Sequence, residues 1–399
     1  MDIRYREVPL PWLAGASLAR LGDEMAAPAL LLGVAGTGGG HAQAAAAVSV
    51  LTLGCALSGP VVGLGLDRAR RPTYLIAAAM TWVALLLVVV ATIPAPTWLL
   101  LVTAFAAGCG TPAVLGGWTA QLPTLVPPDR LDKAAAVDAA TYNVAGIIGP
   151  LLVAGVVSAT SAGAALPAAV AALAAGIPAA LWAARTAPVP GAGEAAGRAG
   201  LGADTLAGLR TLLLLPRLRT ATFSTTAGYL GLGMAFVATP LVAVEEGASE
   251  DAAGVLLACL SVGALLGVAA MTRVQRAARS ALRTVVVGTA ATGVLLLAAA
   301  TTPGWPVLCA LLVAAGAAEG MVFTATLLVR HREAPSGARS NVHTTAASLK
   351  LAAFAAGAAS GAFLTGGASL LLAAGVVHVG AAAAVAAPTF RRTMRVERH

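Results

Sequence analysis

The sequence is poor in charged and aromatic residues. Charged residues make up 11% of its 399 positions and aromatic residues 4%, while hydrophobic residues make up 58%. Soluble globular domains contain roughly 25% charged residues. The composition therefore excludes an ordinary soluble domain and indicates an integral membrane protein.

The sequence also lacks the motifs of several kinds of chemistry. There is no phosphate-binding loop, so ATP hydrolysis by this chain is not expected to drive its function. The histidines and acids show no metal-ligand spacing. The cysteines each fall alone inside an apolar stretch, which predicts small packing residues rather than disulfides or metal ligands: they are Cys55, Cys109, Cys259 and Cys309. We therefore expect no catalytic site, no metal, no cofactor and no enzyme activity.

The net charge is +8, which in a soluble protein would suggest binding to nucleic acid. Here the basic residues lie in short segments between apolar stretches, where anionic lipid headgroups are their expected counterparts. The predicted surroundings are a lipid bilayer, with no nucleic-acid partner.

Twelve apolar stretches are each long enough to cross a bilayer, for which about 20 residues suffice. They run approximately over residues 11–35, 44–66, 73–93, 97–120, 134–159, 163–184, 220–244, 252–272, 284–301, 305–329, 343–366 and 368–388. The first is too long and too charged for a cleavable signal peptide.

The basic residues fix the expected orientation. If the amino terminus is cytoplasmic, 23 of the 25 basic residues fall in cytoplasmic segments, and the other two, Arg20 and Lys350, fall within spans. The sequence thus predicts an all-α protein of the cell membrane that crosses it twelve times, with both termini in the cytoplasm.

The spans divide into two sets of six. Residues 1–184 and 220–399 are predicted to form two six-helix bundles. Residues 185–219 begin with a run of Pro, Gly and Ala that is typical of a linker and end in a short amphipathic helix expected at the membrane surface.

The two halves resemble each other in their second spans. A Cys-x₃-Gly-x₃-Gly pattern recurs at an offset of 204 residues. Its members are Cys55, Gly59 and Gly63 in the first half and Cys259, Gly263 and Gly267 in the second. Gly54, Gly59, Gly63 and Gly65 are also expected to let a neighbouring helix approach closely. The repeat predicts a duplicated bundle.

A charged turn follows the second span, in which Gly63 is followed by Asp67, Arg68 and Arg71. It resembles the loop between the second and third helices of major facilitator superfamily transporters, whose pattern is Gly, three residues, Asp, Arg, one residue, Gly and two basic positions. The matching residues are Gly63, Asp67, Arg68 and Arg71, whereas Arg70 replaces the second Gly and Pro72 a basic residue. The resemblance implies a cytoplasmic gating motif and two six-helix bundles, with substrate bound near the midplane between them.

Residues 108–155 contain Pro112, the loop LPTLVPPDRLDKA, Asn143 and the series Gly146, Gly149, Pro150 and Gly155. With these features the stretch is similar to the fourth and fifth helices of the exporter branch that includes enterobactin-type siderophore exporters and multidrug efflux proteins. The resemblance implies a hinge in the fifth helix, where Pro150 removes a backbone hydrogen bond. The predicted hinge residues are Asn143, Gly146, Gly149 and Pro150. Ala104 stands where many proton-linked drug antiporters have Arg, so that proton route is not expected here.

Ionisable residues within spans are the first functional candidates, because burying a charge in a bilayer is costly. Arg20, Asp23 and Glu24 lie at i, i+3 and i+4, so both carboxylates are expected within reach of the guanidinium. One carboxylate would be in excess and available to a proton or a cationic substrate, with Asp23 the first choice. The alternative is an internally neutralised cluster that only packs.

Glu319 and Lys350 are nearly equidistant from Pro335 in the hairpin between the tenth and eleventh spans, which predicts a salt bridge at similar depth. The pair would serve as a protonation site or only fix helix register. His378 is expected to be a hydrogen-bonded packing residue, or else a proton relay. Asp138 is expected to support a helix amino terminus or contact basic loop residues.

The sequence therefore predicts a monomeric secondary transporter that exports a small hydrophobic or amphipathic molecule, such as a drug, siderophore or secondary metabolite, in exchange for protons. Few aromatic residues and an interior of Ala, Leu, Val and Gly argue against a sugar site. Two alternatives are a proton-coupled uptake permease and a non-transporting membrane receptor with the same fold.

Overall fold

The computed structural model describes residues 8–93, 96–186, 201–249, 252–273, 280–335 and 339–396, and within these ranges it contains helices and no strand. The helices of the amino-terminal half are α1 Leu10–Val34, α2 Gly40–Arg68, α3 Pro72–Thr92, α4 Thr97–Leu125, α5 Leu131–Ala159 and α6 Ala165–Thr186. A π-helical turn, Ala35–Gly39, joins α1 to α2, and Gly38 within it has φ of 99°, which favours glycine.

A short helix, α7 Leu201–Leu214, comes next in the described chain. The remaining helices are α8 Pro216–Glu245, α9 Ala253–Arg273, α10 Ala281–Thr301, α11 Trp305–Glu333, α12 Arg339–Ala359 and α13 Gly367–Val396. Apart from α7, these are twelve long helices, and each corresponds to one predicted span. The all-helical fold with twelve long helices is confirmed.

Hydropathy alone identifies fewer spans than the helices do. In the described chain, nine stretches are long and apolar enough to cross a membrane, and one of them, Leu10–Gly63, includes both α1 and α2. These stretches cover ten of the long helices. The other two are α5, in which a shorter apolar stretch, Val144–Ala159, is found among the described residues, and α12, whose first half is rich in polar residues.

The chain forms two compact units, Met1–Leu201 and Gly202–His399. The proposed linker, residues 185–219, lies partly outside the described residues, since 187–200 are not described. Its second part contains α7 and the start of α8. The membrane-surface position of α7 and the boundaries of the linker stay predictions.

The two units have the same internal packing. In the first, α1 packs on α5 and α6, α4 packs on α2 and α3, and α3 packs on α6. In the second, α8 packs on α12 and α13, α11 packs on α9 and α10, and α10 packs on α13. Each of these helix pairs in the first unit has an equivalent pair in the second, in which both helix numbers are higher by seven. A duplicated bundle requires this correspondence.

Glycines bring α2 and α4 into backbone contact. A methyl group at Gly54 would lie 2.3 Å from the carbonyl oxygen of Phe105, and one at Gly108 would lie 1.9 Å from that of Leu51. In the second unit, a methyl group at Gly267 of α9 would lie 2.0 Å from the carbonyl oxygen of Ala317 in α11. Both pairs of helices therefore need glycine at these positions.

Three other glycines of α2 behave differently. A methyl group at Gly59, Gly63 or Gly65 would meet no atom of the described residues within 4 Å. Among the described residues, the predicted close approach of a neighbouring helix therefore holds at Gly54 and at none of the other three positions. Spacing along one helix shows which glycines share a face but does not show which helix lies opposite.

Two carboxylates tie the end of α8 to two other helices. Glu245 accepts hydrogen bonds from the backbone N–H groups of Gly367, at 2.7 Å, and Ala368, at 2.9 Å, where α13 begins. Glu246 accepts one from Gly304, at 2.6 Å, just before α11. They satisfy N–H groups that have no partner within a helix.

Candidate functional site

The charges embedded in the first unit centre on Arg20 of α1. Its guanidinium forms a salt bridge with Asp138 of α5, with 2.6 Å between Nη1 and Oδ1, and the two side chains are 0% and 4% exposed. Nη1 also donates to the carbonyl oxygen of Asp138 at 3.0 Å. The prediction that Arg20 pairs with Asp23 and Glu24 is wrong, and so is the expectation that Asp138 supports a helix end or contacts a loop.

Hydroxyl groups complete this ion pair. Thr119 of α4 donates to the Asp138 carboxylate at 2.7 Å and accepts from Arg20 Nη2 at 3.0 Å. Thr141 accepts from Arg20 Nη1 and donates to the carbonyl oxygen of Asp138 at 2.8 Å. The guanidinium carbon lies 3.9 Å from the centre of the Tyr142 ring. Asp138 therefore neutralises Arg20, whose two terminal nitrogens are held by α4 and α5 while its Nε has no hydrogen-bond partner in the described structure.

Asp23 and Glu24 are left without a cation. Within the described part of the chain, neither carboxylate forms an ion pair. Thr111 of α4 hydrogen-bonds to Asp23. Cys55 of α2 and Tyr142 of α5 lie close enough to Asp23 to interact electrostatically with its carboxyl group. The two acids thus lie on one turn of α1 inside the first unit without a counter-charge among the described residues.

Glu24 lies against the glycines of α5. A methyl group at Gly146 would be 4.0 Å from the carboxyl carbon and from Oε2 of Glu24, and one at Gly149 would be 3.0 Å from its Cβ. Helix α5 is continuous from Leu131 to Ala159 with Pro150 inside it. The Asn143 side chain lies outside the described side chains. The glycines therefore make room for Glu24, and the hinge role of this segment stays a prediction.

In the second unit, Lys350 of α12 lies among aromatic rings. Its Nζ is 4.4 Å from the centre of the Tyr229 ring and 5.0 Å from that of Phe323. Oε2 of Glu319 is buried without a hydrogen-bond partner in the described structure. The two side chains are close enough for their charges to interact, but they are not in ion-pair contact. The predicted salt bridge is therefore wrong, because Lys350 turns to the rings.

His378 of α13 is fully buried. Its Nδ1 is 2.8 Å from the carbonyl oxygen of Ala374 in the preceding turn. A methyl group at Gly231 of α8 would be 2.4 Å from the ring, and one at Gly293 of α10 would be 2.8 Å from its Cβ. The imidazole fills space that two glycines leave between three helices, and a role in proton transfer stays a prediction.

The cysteines lie in two pairs rather than alone. Cys259 of α9 and Cys309 of α11 are joined by a thiol hydrogen bond. At the corresponding place in the first unit, the thiols of Cys55 in α2 and Cys109 in α4 lie close enough to interact electrostatically. All four are free thiols. Each cysteine stands alone within its own helix, as the sequence indicates, and the pairing of helices brings distant cysteines close together.

The charged turn after α2 spans the three residues before α3 begins at Pro72. The guanidinium carbon of Arg71 lies 5.9 Å from the centre of the Tyr74 ring. The side chains of Asp67 and Arg68 lie outside the described ones, so the gating role of this motif stays a prediction. Among the described residues, no group of three His, Cys, Asp or Glu could hold a metal ion.

The chain resembles solved transporter structures over nearly its whole length. A mutant of the nucleoside transporter NupG superposes with a TM-score of 0.73 at 13% identity, covering 96% of this chain and 98% of that one. A bacterial homologue of the human lysosomal transporter Spinster, inward-facing and unoccupied, gives 0.73 at 17% identity, with 96% of each chain covered. A peptide transporter of the POT family gives 0.73 at 13% identity, covering 96% of this chain and 94% of that one. At these identities the likeness shows the fold.

The family itself is shown by the sequence. No curated protein sequence matches the chain significantly. A family model described as Major Facilitator Superfamily matches residues 12–348, which is most of the chain. This protein therefore belongs to the major facilitator superfamily, with the transporter fold of a multi-pass membrane protein.

Proposed function

We propose that this protein exports a small hydrophobic or amphipathic molecule from the cell in exchange for protons. The observation that supports the coupling is the pair Asp23 and Glu24, which is embedded in α1 and has no cationic partner among the described residues, since Asp138 holds Arg20. An unpaired carboxylate in a membrane interior is costly while it is charged. Proton uptake removes that cost, so a reversible proton site is a physical reason for these residues to be there.

Proton binding drives transport only if it favours one facing state over the other. Glu24 is suited to such a difference because α5 lies directly against it at Gly146 and Gly149. A bend of α5 near Pro150 would change the space and the water access around the carboxylate. We infer that this bend couples the protonation state of Glu24 to the facing state.

The direction of transport rests on the resemblance of α4 and α5 to exporters. The scarcity of aromatic residues, 4% of the chain, supports an apolar or amphipathic substrate over a sugar. We further propose that the protein lies in the cell membrane as a monomer with both termini in the cytoplasm, in accord with the distribution of its basic residues.

The test uses proteoliposomes with a trapped pH indicator and an imposed pH gradient of either sign. Compounds from a panel of amphipathic drugs and siderophores are added, and proton movement and compound flux are recorded together. An antiporter exchanges the two in opposite directions, whereas an uptake permease moves them in the same direction.

Asp23→Asn and Glu24→Gln should abolish proton-coupled flux. Asp129→Asn is the matched control, because that carboxylate is 74% exposed beside Arg130. The coupling role is refuted if both embedded variants transport at the wild-type rate at every pH. A scan in which Asp23, Glu319 and Lys350 are all dispensable would instead favour the non-transporting receptor.

A further inference from the structure

The ammonium group of Lys350 lies between two aromatic rings of the second unit, Tyr229 of α8 and Phe323 of α11, which we call the ring pair. Its Nζ is 4.4 Å from the centre of the Tyr229 ring and 5.0 Å from that of the Phe323 ring. Both distances are within the roughly 6 Å over which the face of a ring attracts a cation. The structure thus shows directly that these rings accept an alkylammonium group.

The rings hold Lys350 without a carboxylate in contact. Within the described chain, Lys350 forms no ion pair. Glu319 precedes Phe323 by one turn of α11, interacts electrostatically with Lys350, and has a buried Oε2 atom without a hydrogen-bond partner in the described structure. Because a contact with a ring is weaker than a buried ion pair, the lysine can leave the rings for Glu319.

Accessible aromatic surface continues from the ring pair. Phe354 follows Lys350 by one turn of α12, and its ring packs on that of Phe236 in α8 with 5.6 Å between the ring centres. Phe236 follows Tyr229 by two turns, so both lie on one face of α8. Phe323 is 40% exposed, and the other four side chains are partly exposed. A ligand with its ammonium group at the ring pair can therefore place an apolar body on neighbouring rings.

A second cation borders this site. Arg330 is 2% exposed and interacts electrostatically with the phenol group of Tyr229. It lies seven residues after Phe323, which is about 10 Å along the axis of α11. Its charge repels a further basic group in the ligand, so the site suits a ligand with a single ammonium group.

We propose that the ring pair binds the ammonium group of a cationic amphipathic substrate. Lys350 is a built-in occupant that the substrate displaces toward Glu319, and the apolar body of the substrate lies against Phe354. The negative faces of aromatic rings recognise ammonium groups in this way. The inference rests on the proposed export function and deepens it, because it names the charge of the exported molecule.

The test is equilibrium binding to the purified full chain in detergent at neutral pH, with three probes that share one ring system. These are cationic 2-naphthylmethylamine, neutral 2-naphthylmethanol and anionic 2-naphthoate. Lys350→Met should raise the affinity for the amine about tenfold if the lysine occupies the ring pair for about nine-tenths of the time. The same change should leave the affinity for the alcohol unchanged and should not improve binding of 2-naphthoate.

Phe323→Leu removes one of the two rings. In the Lys350→Met background it should weaken binding of the amine about two- to thirtyfold, as the loss of one cation–π contact predicts, and leave binding of the alcohol unchanged. With Lys350 present the loss should be smaller, because the competing lysine loses the same ring. Phe363→Leu is the matched control, since that ring is 83% exposed, and should behave as the parent protein.

Three results would overturn the site. In the first, Lys350→Met binds the amine no more tightly than the wild type does. In the second, Phe323→Leu weakens the amine and the alcohol equally, as the loss of a purely apolar contact would. In the third, Phe323→Leu costs the same with and without Lys350, which would show that the lysine repels the amine without competing for the rings.

Size-exclusion profiles and thermal melts establish that each variant is folded. Tyr229→Leu, which removes the other ring, decides the question if Phe323→Leu is unfolded. Binding is measured without a gradient, so a failure of proton-coupled export in liposomes would refute the proposed function separately.

Discussion

The buried salt bridge between Arg20 and Asp138 should contribute strongly to the stability of the first unit. Asp138→Ala leaves a guanidinium in a dry interior, and breaking one side of a buried ion pair costs about 3–5 kcal/mol. For a unit of this size, 1 kcal/mol corresponds to roughly 2–4 °C in Tm. We therefore expect Tm to fall by about 6–20 °C, measured by thermal unfolding of the purified protein in detergent.

The second unit offers a matched control. Arg217 and Glu333 are joined at 2.7 Å, nearly the same distance, but their side chains are 57% and 30% exposed. Glu333→Ala should cost at most about 1 kcal/mol, because solvent screens an exposed pair. If the Asp138 and Glu333 variants lose the same stability, burial does not determine the strength of the first pair and the reasoning is refuted.

A compensating movement can be tested directly. In Asp138→Ala, Arg20 has Asp23 and Glu24 at i+3 and i+4 on its own helix and can turn toward them. Adding Glu24→Gln to Asp138→Ala should then cost more than the sum of the two single changes. If the stability losses of the two single variants add up to that of the double variant, Arg20 does not turn toward Glu24 when Asp138 is removed.

Three further changes have defined outcomes. Gly267→Val should prevent accumulation of folded protein because its Cβ would lie 2.0 Å from a backbone oxygen, whereas Gly63→Val, in open space, should accumulate normally in membranes. Gly149→Ala should lower transport and Tm, since its Cβ meets that of Glu24 at 3.0 Å, and Gly155→Ala, with nothing within 4 Å, should match wild type in both assays. Glu245→Gln should lower Tm by a few degrees because a neutral amide is a weaker acceptor for the two N–H groups at the start of α13; an unchanged melting curve would contradict this.

The sequence contains enough information to predict the number of helices. Runs of about 20 apolar residues and the alternation of basic segments identify twelve spans, including α12, whose polar first half weakens the hydropathy signal. The duplication is also visible, in the pattern shared by Cys55 and Cys259. These signals are local or periodic, so they do not depend on knowing which helices touch.

Side-chain partners were harder to predict, because a partner often lies on another helix. Arg20 pairs with a residue 118 positions away, although two acids stand within one turn of it. One overlooked signal was Asp138, Thr141 and Tyr142 at i, i+3 and i+4, which places two polar side chains and a ring on one face of α5.

The carboxylates at the end of α8 restrict how the second unit can deform. Three backbone N–H groups from two other chain segments donate hydrogen bonds to Glu245 and Glu246. These bonds connect the end of α8 to the starts of α11 and α13. Pulling any one of these ends away would break charge-assisted hydrogen bonds worth about 1.5–3 kcal/mol each. A rearrangement of this unit during a transport cycle therefore costs least free energy if the end of α8 and the starts of α11 and α13 move together. The helices would then bend at positions further from these ends.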